Sequence, residues 1–152
     1  MNNPYQKMVS DYARLVTASY PLGEAAPGPA VTLDRSAPVV LLFSPHPDDE
    51  CITGALPLRL LRERKWRVVN VAVTLGSRKD RQLDRLAELR RACDVLGFGV
   101  VCTAERGLEK INPDTRARAP DAWAGAVQVV AALLRKHAPR LVFVPHALDA
   151  NS

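Results

Sequence analysis

Apolar and polar positions change period block by block along this chain, and each period names an element. From residue 5 to 18 the side chains Tyr5, Met8, Val9, Tyr12, Leu15 and Val16 recur at helical spacing, which predicts an amphipathic helix. Residues 21–38 are rich in proline and glycine and read as a surface linker. Residues 38–43 (PVVLLF) form a short unbroken apolar run, the pattern of a strand buried on both faces. Residues 50–64 return to helical spacing, with Ile52, Ala55, Leu56, Leu60 and Leu61 on one side and Pro57 as the expected kink. A second strand follows over 67–75. The clearest helix covers 80–96, with Leu83, Leu86, Leu89, Ala92, Cys93 and Leu96 as its apolar face and Gly97 as its stop. A third strand is expected at 99–103, a loop at 104–119, a helix at 120–136 with Pro120 in its first turn, and a fourth strand at 140–145.

Strands that alternate with helices imply right-handed crossovers and a mostly parallel sheet between helical layers. The expectation is a three-layer α/β domain of four or more strands over residues 38–152, preceded by a helix and Pro-rich linker over 1–37. Composition is compatible with this: 152 residues, 47% hydrophobic and 24% charged, exclude a collagen-like repeat or a disordered tail. Cys51, Cys93 and Cys102 form no CxxC pair and are odd in number, which suits a reducing compartment. The start lacks an apolar signal segment, and no apolar run reaches the ~18 residues of a membrane span. Cytoplasmic placement is the expectation.

Ligands of open parallel sheets gather beyond the carboxyl ends of the strands. The densest chemistry there is Ser44-Pro45-His46-Pro47-Asp48-Asp49-Glu50, directly after the first strand. One imidazole and three carboxylates form a set suited to zinc or a related divalent cation. Adjacent Asp48 and Asp49 cannot point the same way on a turn, so one can bind metal while the other faces a water. The same acids also suit the first turn of any helix, where they offset exposed N–H groups. Pattern alone leaves both roles standing.

The run His46-Pro47-Asp48-Asp49-Glu50 resembles the His-Pro-Asp-Asp-Glu signature of the LmbE-like, or PIG-L, deacetylase family. Arg85-x-x-Glu88-x-x-x-Ala92-x-x-x-Leu96-Gly97 resembles the helix that follows strand two in that family. The resemblance covers roughly residues 38–149. It implies a Rossmann-like sheet of order 3-2-1-4 and zinc-dependent removal of an acetyl group from an N-acetylglucosamine-type conjugate, a small-molecule substrate. It implies His46 and Asp49 as zinc ligands, Asp48 as the general base, Glu50 as a structural acid bonding backbone N–H groups at the helix start, and Arg85 on the substrate side. The family takes its third ligand from a histidine beyond strand four. His146 follows that strand immediately, so it is expected in the pocket wall as a substrate-binding residue, and Asp149 is either a pocket or a loop residue. His137, at the end of the last helix, is expected to be structural, as a cation suited to the helix dipole. With no third ligand evident within residues 1–152, the chain is expected to be either the N-terminal portion of a longer hydrolase or a protein with a partial site.

Two rivals remain. The same metal site could cleave a phosphoester, although Gly76-Ser77 stands alone without a phosphate-binding glycine loop. The formal charge of +5 also invites a non-enzymatic role, binding nucleic acid or another anionic partner. It is carried in part by two clusters, Arg59, Arg62, Arg64, Lys65 and Arg67, then Arg78, Lys79, Arg81, Arg85, Arg90 and Arg91. Only 5% of residues are aromatic, too few for a stacking platform, so nucleic acid is disfavoured. The pattern carries no oligomeric state.

Overall fold

The computed structural model describes residues 4–17 and 31–146. The elements in order are α1 (Pro4–Thr17), β1 (Val39–Ser44), α2 (Asp49–Thr53), α3 (Ala55–Arg64), β2 (Arg67–Ala72), α4 (Gln82–Leu96), β3 (Gly99–Cys102), α5 (Pro113–Arg118), α6 (Pro120–His137) and β4 (Leu141–Phe143). All four strands are parallel, in the order β3-β2-β1-β4. This is the order the resemblance implies. β1 lies at the centre of the sheet, with Val39–Ser44 paired to Arg67–Ala72 on one edge and Val40–Leu42 paired to Leu141–Phe143 on the other.

Every residue of β1 is buried, as its unbroken apolar run demands. Successive side chains enter opposite layers. Val40 and Leu42 pack with Leu61 of α3 and with Leu86, Leu89 and Cys93 of α4. Val39, Leu41 and Phe43 pack with Leu133 of α6, flanked by Val130 and Leu134. Each fully buried leucine or valine stabilises this arrangement by about 1.5–3 kcal/mol before conformational entropy is charged against it. The result is the expected three-layer α/β fold, with its strand ends converging on the turn after Ser44.

Four details differ from the sequence pattern. The helical stretch after β1 breaks at Gly54 into α2 and α3, and Pro57 causes no kink. A Cβ on Gly54 would fall on the Glu50 carbonyl oxygen, so the tight break requires glycine. Pro57 sits in the first turn of α3, where a missing N–H costs nothing. The buried side of that stretch is Pro57 and Leu61, while Ile52, Ala55 and Leu56 face outward. In α4, Leu83 is likewise exposed, whereas Leu86, Leu89 and Cys93 form the core face. The segment expected as a loop contains α5, nucleated by Asn112, whose Oδ1 accepts the Thr115 N–H at 2.8 Å, and by Pro113.

The first helix forms as expected over its described residues, but Tyr5, Met8, Val9, Tyr12, Leu15 and Val16 are all exposed. The linker reading falls mostly on residues 18–30, outside the described residues.

Candidate active site

β1 ends at Ser44, and the chain then turns through His46-Pro47-Asp48 into α2. The Asp48 N–H donates to the His46 carbonyl at 3.0 Å, and the Cys51 N–H to the Asp48 carbonyl at 3.0 Å. This tight winding separates the two aspartates. Asp49 turns inward, where Oδ2 accepts the His46 backbone N–H at 2.7 Å and lies 3.6 Å from the His46 Nδ1. Asp48 turns outward; as the N-cap of α2 it makes no side-chain capping bond, so capping does not explain it. Instead its Oδ2 accepts from Arg85 Nη2 of α4 at 3.3 Å.

Glu50 points the other way, into the core, and is only 2% exposed. Burial pushes its carboxyl above the ordinary range, against the pull of its own backbone N–H and of the Cys51 thiol. Cys51 Sγ donates to Oε1 at 3.5 Å, and Oε2 is buried with no partner among the described residues. Glu50 is thus a buried acid, met among the described residues by its own backbone N–H and the Cys51 thiol rather than by several backbone N–H groups of the helix start.

The loop after β2 closes the site from the side. Thr74 donates to the Pro45 carbonyl twice, from its N–H at 3.1 Å and from Oγ1 at 2.6 Å. Oγ1 in turn accepts the Gly76 N–H at 3.2 Å. Ser77, Arg78, Arg81, Arg85 and Glu88 then line a cavity of about 360 Å³ in which the charged Arg85 is shared with Asp48. Thr74 and the Asp48–Arg85 pair were not visible in the motif, because both link residues far apart in the chain. The signals near them in the sequence are the place of Thr74 after a parallel strand and the resemblance that puts Arg85 on the substrate side.

Two ligands of a tetrahedral zinc, each about 2.0–2.1 Å from the ion, stand roughly 3.3 Å apart. The 3.6 Å between His46 Nδ1 and Asp49 Oδ2 fits two such positions. Among the described residues no group of three His, Cys, Asp or Glu side chains is arranged to hold a metal. His146 is exposed just past β4, at the same end of the sheet as His46, and Asp149 lies outside the described residues.

His137 closes α6 as expected, in surroundings that disfavour its protonated form. Burial, then Lys136 and Arg67, hold its pKa below the ordinary histidine value, and Nε2 is buried without a partner among the described residues. The basic clusters are interleaved with acids. Arg59 pairs with Glu63 at 2.7 Å, Arg78 with Asp80 at 2.7 Å, and Lys79 with Glu109 at 3.5 Å. These are solvated surface pairs rather than a bare cationic stripe.

The parallel sheet, with an imidazole, paired aspartates and an arginine gathered beyond its central strand, is a Rossmann-like α/β arrangement. The chain belongs to the PIG-L family, described as GlcNAc-PI de-N-acetylase, whose family model matches residues 41–152. That family is one of de-N-acetylase-type hydrolases acting on small-molecule sugar substrates, and its members are typically metal-dependent. No curated protein matches the chain. Among the described residues no helix is long and apolar enough to cross a membrane.

Proposed function

We propose that this site hydrolyses the N-acetyl amide of an N-acetylglucosamine-type conjugate, with zinc held by His46 and Asp49 and with Asp48 as the general base. The observation that carries the reading is the division of the two aspartates. One carboxylate is clamped beside the His46 imidazole, and its neighbour is turned to the open side against Arg85.

Bound zinc supplies a Lewis acid that acidifies water and offsets oxyanion charge. The residues supply the rest. Asp48 takes the proton of a water as its oxygen bonds to the acetyl carbonyl carbon. The C–N bond then breaks, Asp48 returns the proton to the departing amine, and acetate and the free amino sugar result. Arg85 orients Asp48 and borders the substrate side. His146 belongs to the pocket wall, and Glu50 braces the start of α2 from within. Residues 1–37 form an extension ahead of this domain, and the three free cysteines accord with a cytoplasmic setting.

The test is elemental analysis after dialysis, followed by assay on N-acetyl amino-sugar conjugates and on phosphoesters. Wild type is expected to bind zinc and release acetate. Asp49→Ala should lose the metal, while Asp48→Asn should keep it and lose turnover by roughly 100-fold or more. Cleavage of phosphoesters with N-acetyl amides untouched would replace the proposed reaction. Loss of metal from Asp48→Asn would reverse the roles of the aspartates.

A further inference from the structure

The loop after β2 passes directly beneath the Arg85 side chain. Gly76 has φ +84°, and a Cβ placed on it would lie 2.6 Å from Arg85 Nη1. The same guanidinium reaches Asp48 Oδ2 through Nη2 at 3.3 Å. Gly76 is held from both sides, its N–H on Thr74 Oγ1 at 3.2 Å and its carbonyl on Gln82 Nε2 at 3.0 Å. Thr74 is itself bonded to Pro45 at 2.6 Å. Gln82 is 1% exposed, so this clamp is a fixed part of the first turn of α4. The contacts close a ring: Pro45 to Thr74, to Gly76, under Arg85, and back to Asp48. The missing side chain at position 76 is the space the guanidinium occupies.

From this ring we infer that Gly76 is a positioning residue, which acts by leaving Arg85 room to reach and orient the Asp48 carboxylate. The inference rests on the proposed role of Asp48. Its physical content stands apart from that role: any side chain at position 76 moves the Arg85 guanidinium. Arginine is suited to the task because its planar, forked head fixes direction as well as charge. Orientation of a reacting group is worth large factors, and displacement by about 1 Å can cost 100-fold in rate.

The experiment is a double-mutant cycle of Gly76→Ala and Arg85→Ala, read by kinetics on an N-acetyl amino-sugar conjugate and by the NMR signal of the Arg85 guanidinium. Gly76→Asn is the second variant, because asparagine accepts left-handed backbone more readily than alanine while still adding a Cβ. Both position-76 variants should lower kcat roughly 10- to 100-fold with little change in KM. Zinc content should stay unchanged. In the Arg85→Ala background the same changes should cost less than about two-fold, since the group they act through is gone. The Arg85 Nε–H resonance should shift and lose exchange protection in both. Equal losses with and without Arg85, or an unmoved guanidinium signal, would overturn the inference. If wild type shows no deacetylation, the proposed function fails, and the guanidinium signal still decides whether Gly76 positions Arg85.

Discussion

Ser44 Oγ donates to Asn70 Oδ1 at 2.7 Å across the β1–β2 pair, with both residues fully buried. Asn70 passes the connection on from Nδ2 to Cys93 Sγ of α4 at 3.6 Å. A polar bridge thus runs through the apolar core one residue before the site turn begins. Removing one partner strands the other in a region without water. Ser44→Ala or Asn70→Val is expected to cost about 1–3 kcal/mol in urea unfolding. The double variant should cost clearly less than the sum of the two, because neither Ser44 nor Asn70 is then left stranded by loss of the other. Strict additivity would show that the two side chains do not depend on one another.

Two of the leucines that share the sequence pattern of α4 separate sharply in burial. Leu89 is 1% exposed and Leu83 is 63% exposed. Leu89→Ala should destabilise by about 2–5 kcal/mol through the cavity it leaves. Leu83→Ala should stay within about 0.5 kcal/mol of wild type. Denaturant midpoints measured at constant slope report both.

His137 resists protonation in the folded chain, through burial first and then the charges of Lys136 and Arg67. The unfolded chain takes up that proton at higher pH. Its contribution is therefore complete above the unfolded value of about 6.5, falls as pH drops below it, and levels off under the lower folded value. His137→Gln should flatten the fall in stability between about pH 7 and 5. An unchanged slope in that window would show that other groups carry it.

The three thiols occupy three environments. Cys51 is exposed, Cys102 is half-buried, and Cys93 is buried with its pKa pushed up to about 11 by desolvation. At roughly pH 8 a thiol reagent should modify Cys51 first and Cys93 only as the protein unfolds. Cys51→Ser should remove the fast phase. Persistence of that phase would reverse the assignment of exposed and buried thiols.

Much of this architecture was legible in the pattern, for reasons that also explain the errors. β1 is written as an unbroken apolar run because both its faces are covered. Pro120 and Gly97 mark helix ends because their backbone preferences act locally. Ile52, Leu56 and Leu83 misled, because helical spacing says which side chains share a side but not how wide the covered stripe is. α5 carried its own signal in Asn112-Pro113, outweighed by the basic residues around it. At the site, the His46–Glu50 turn could be read from one stretch of chain. Arg85 on Asp48, Thr74 on Pro45 and the passage of Gly76 under Arg85 are products of strand pairing, and no local spacing encodes them.

The central place of β1 also fixes the order in which the protein can be completed during synthesis. Its first neighbour, β2, follows soon after it, but its second, β4, comes only at the far end of the described chain. The turn bearing His46, Asp48 and Asp49 thus leaves the ribosome well before β4, the strand that covers the second edge of β1. A nascent chain halted before Leu141 would present Val40–Leu42 as an open parallel edge, inviting strands from other chains. Until β4 pairs there, association at that edge competes with the folding that completes the sheet.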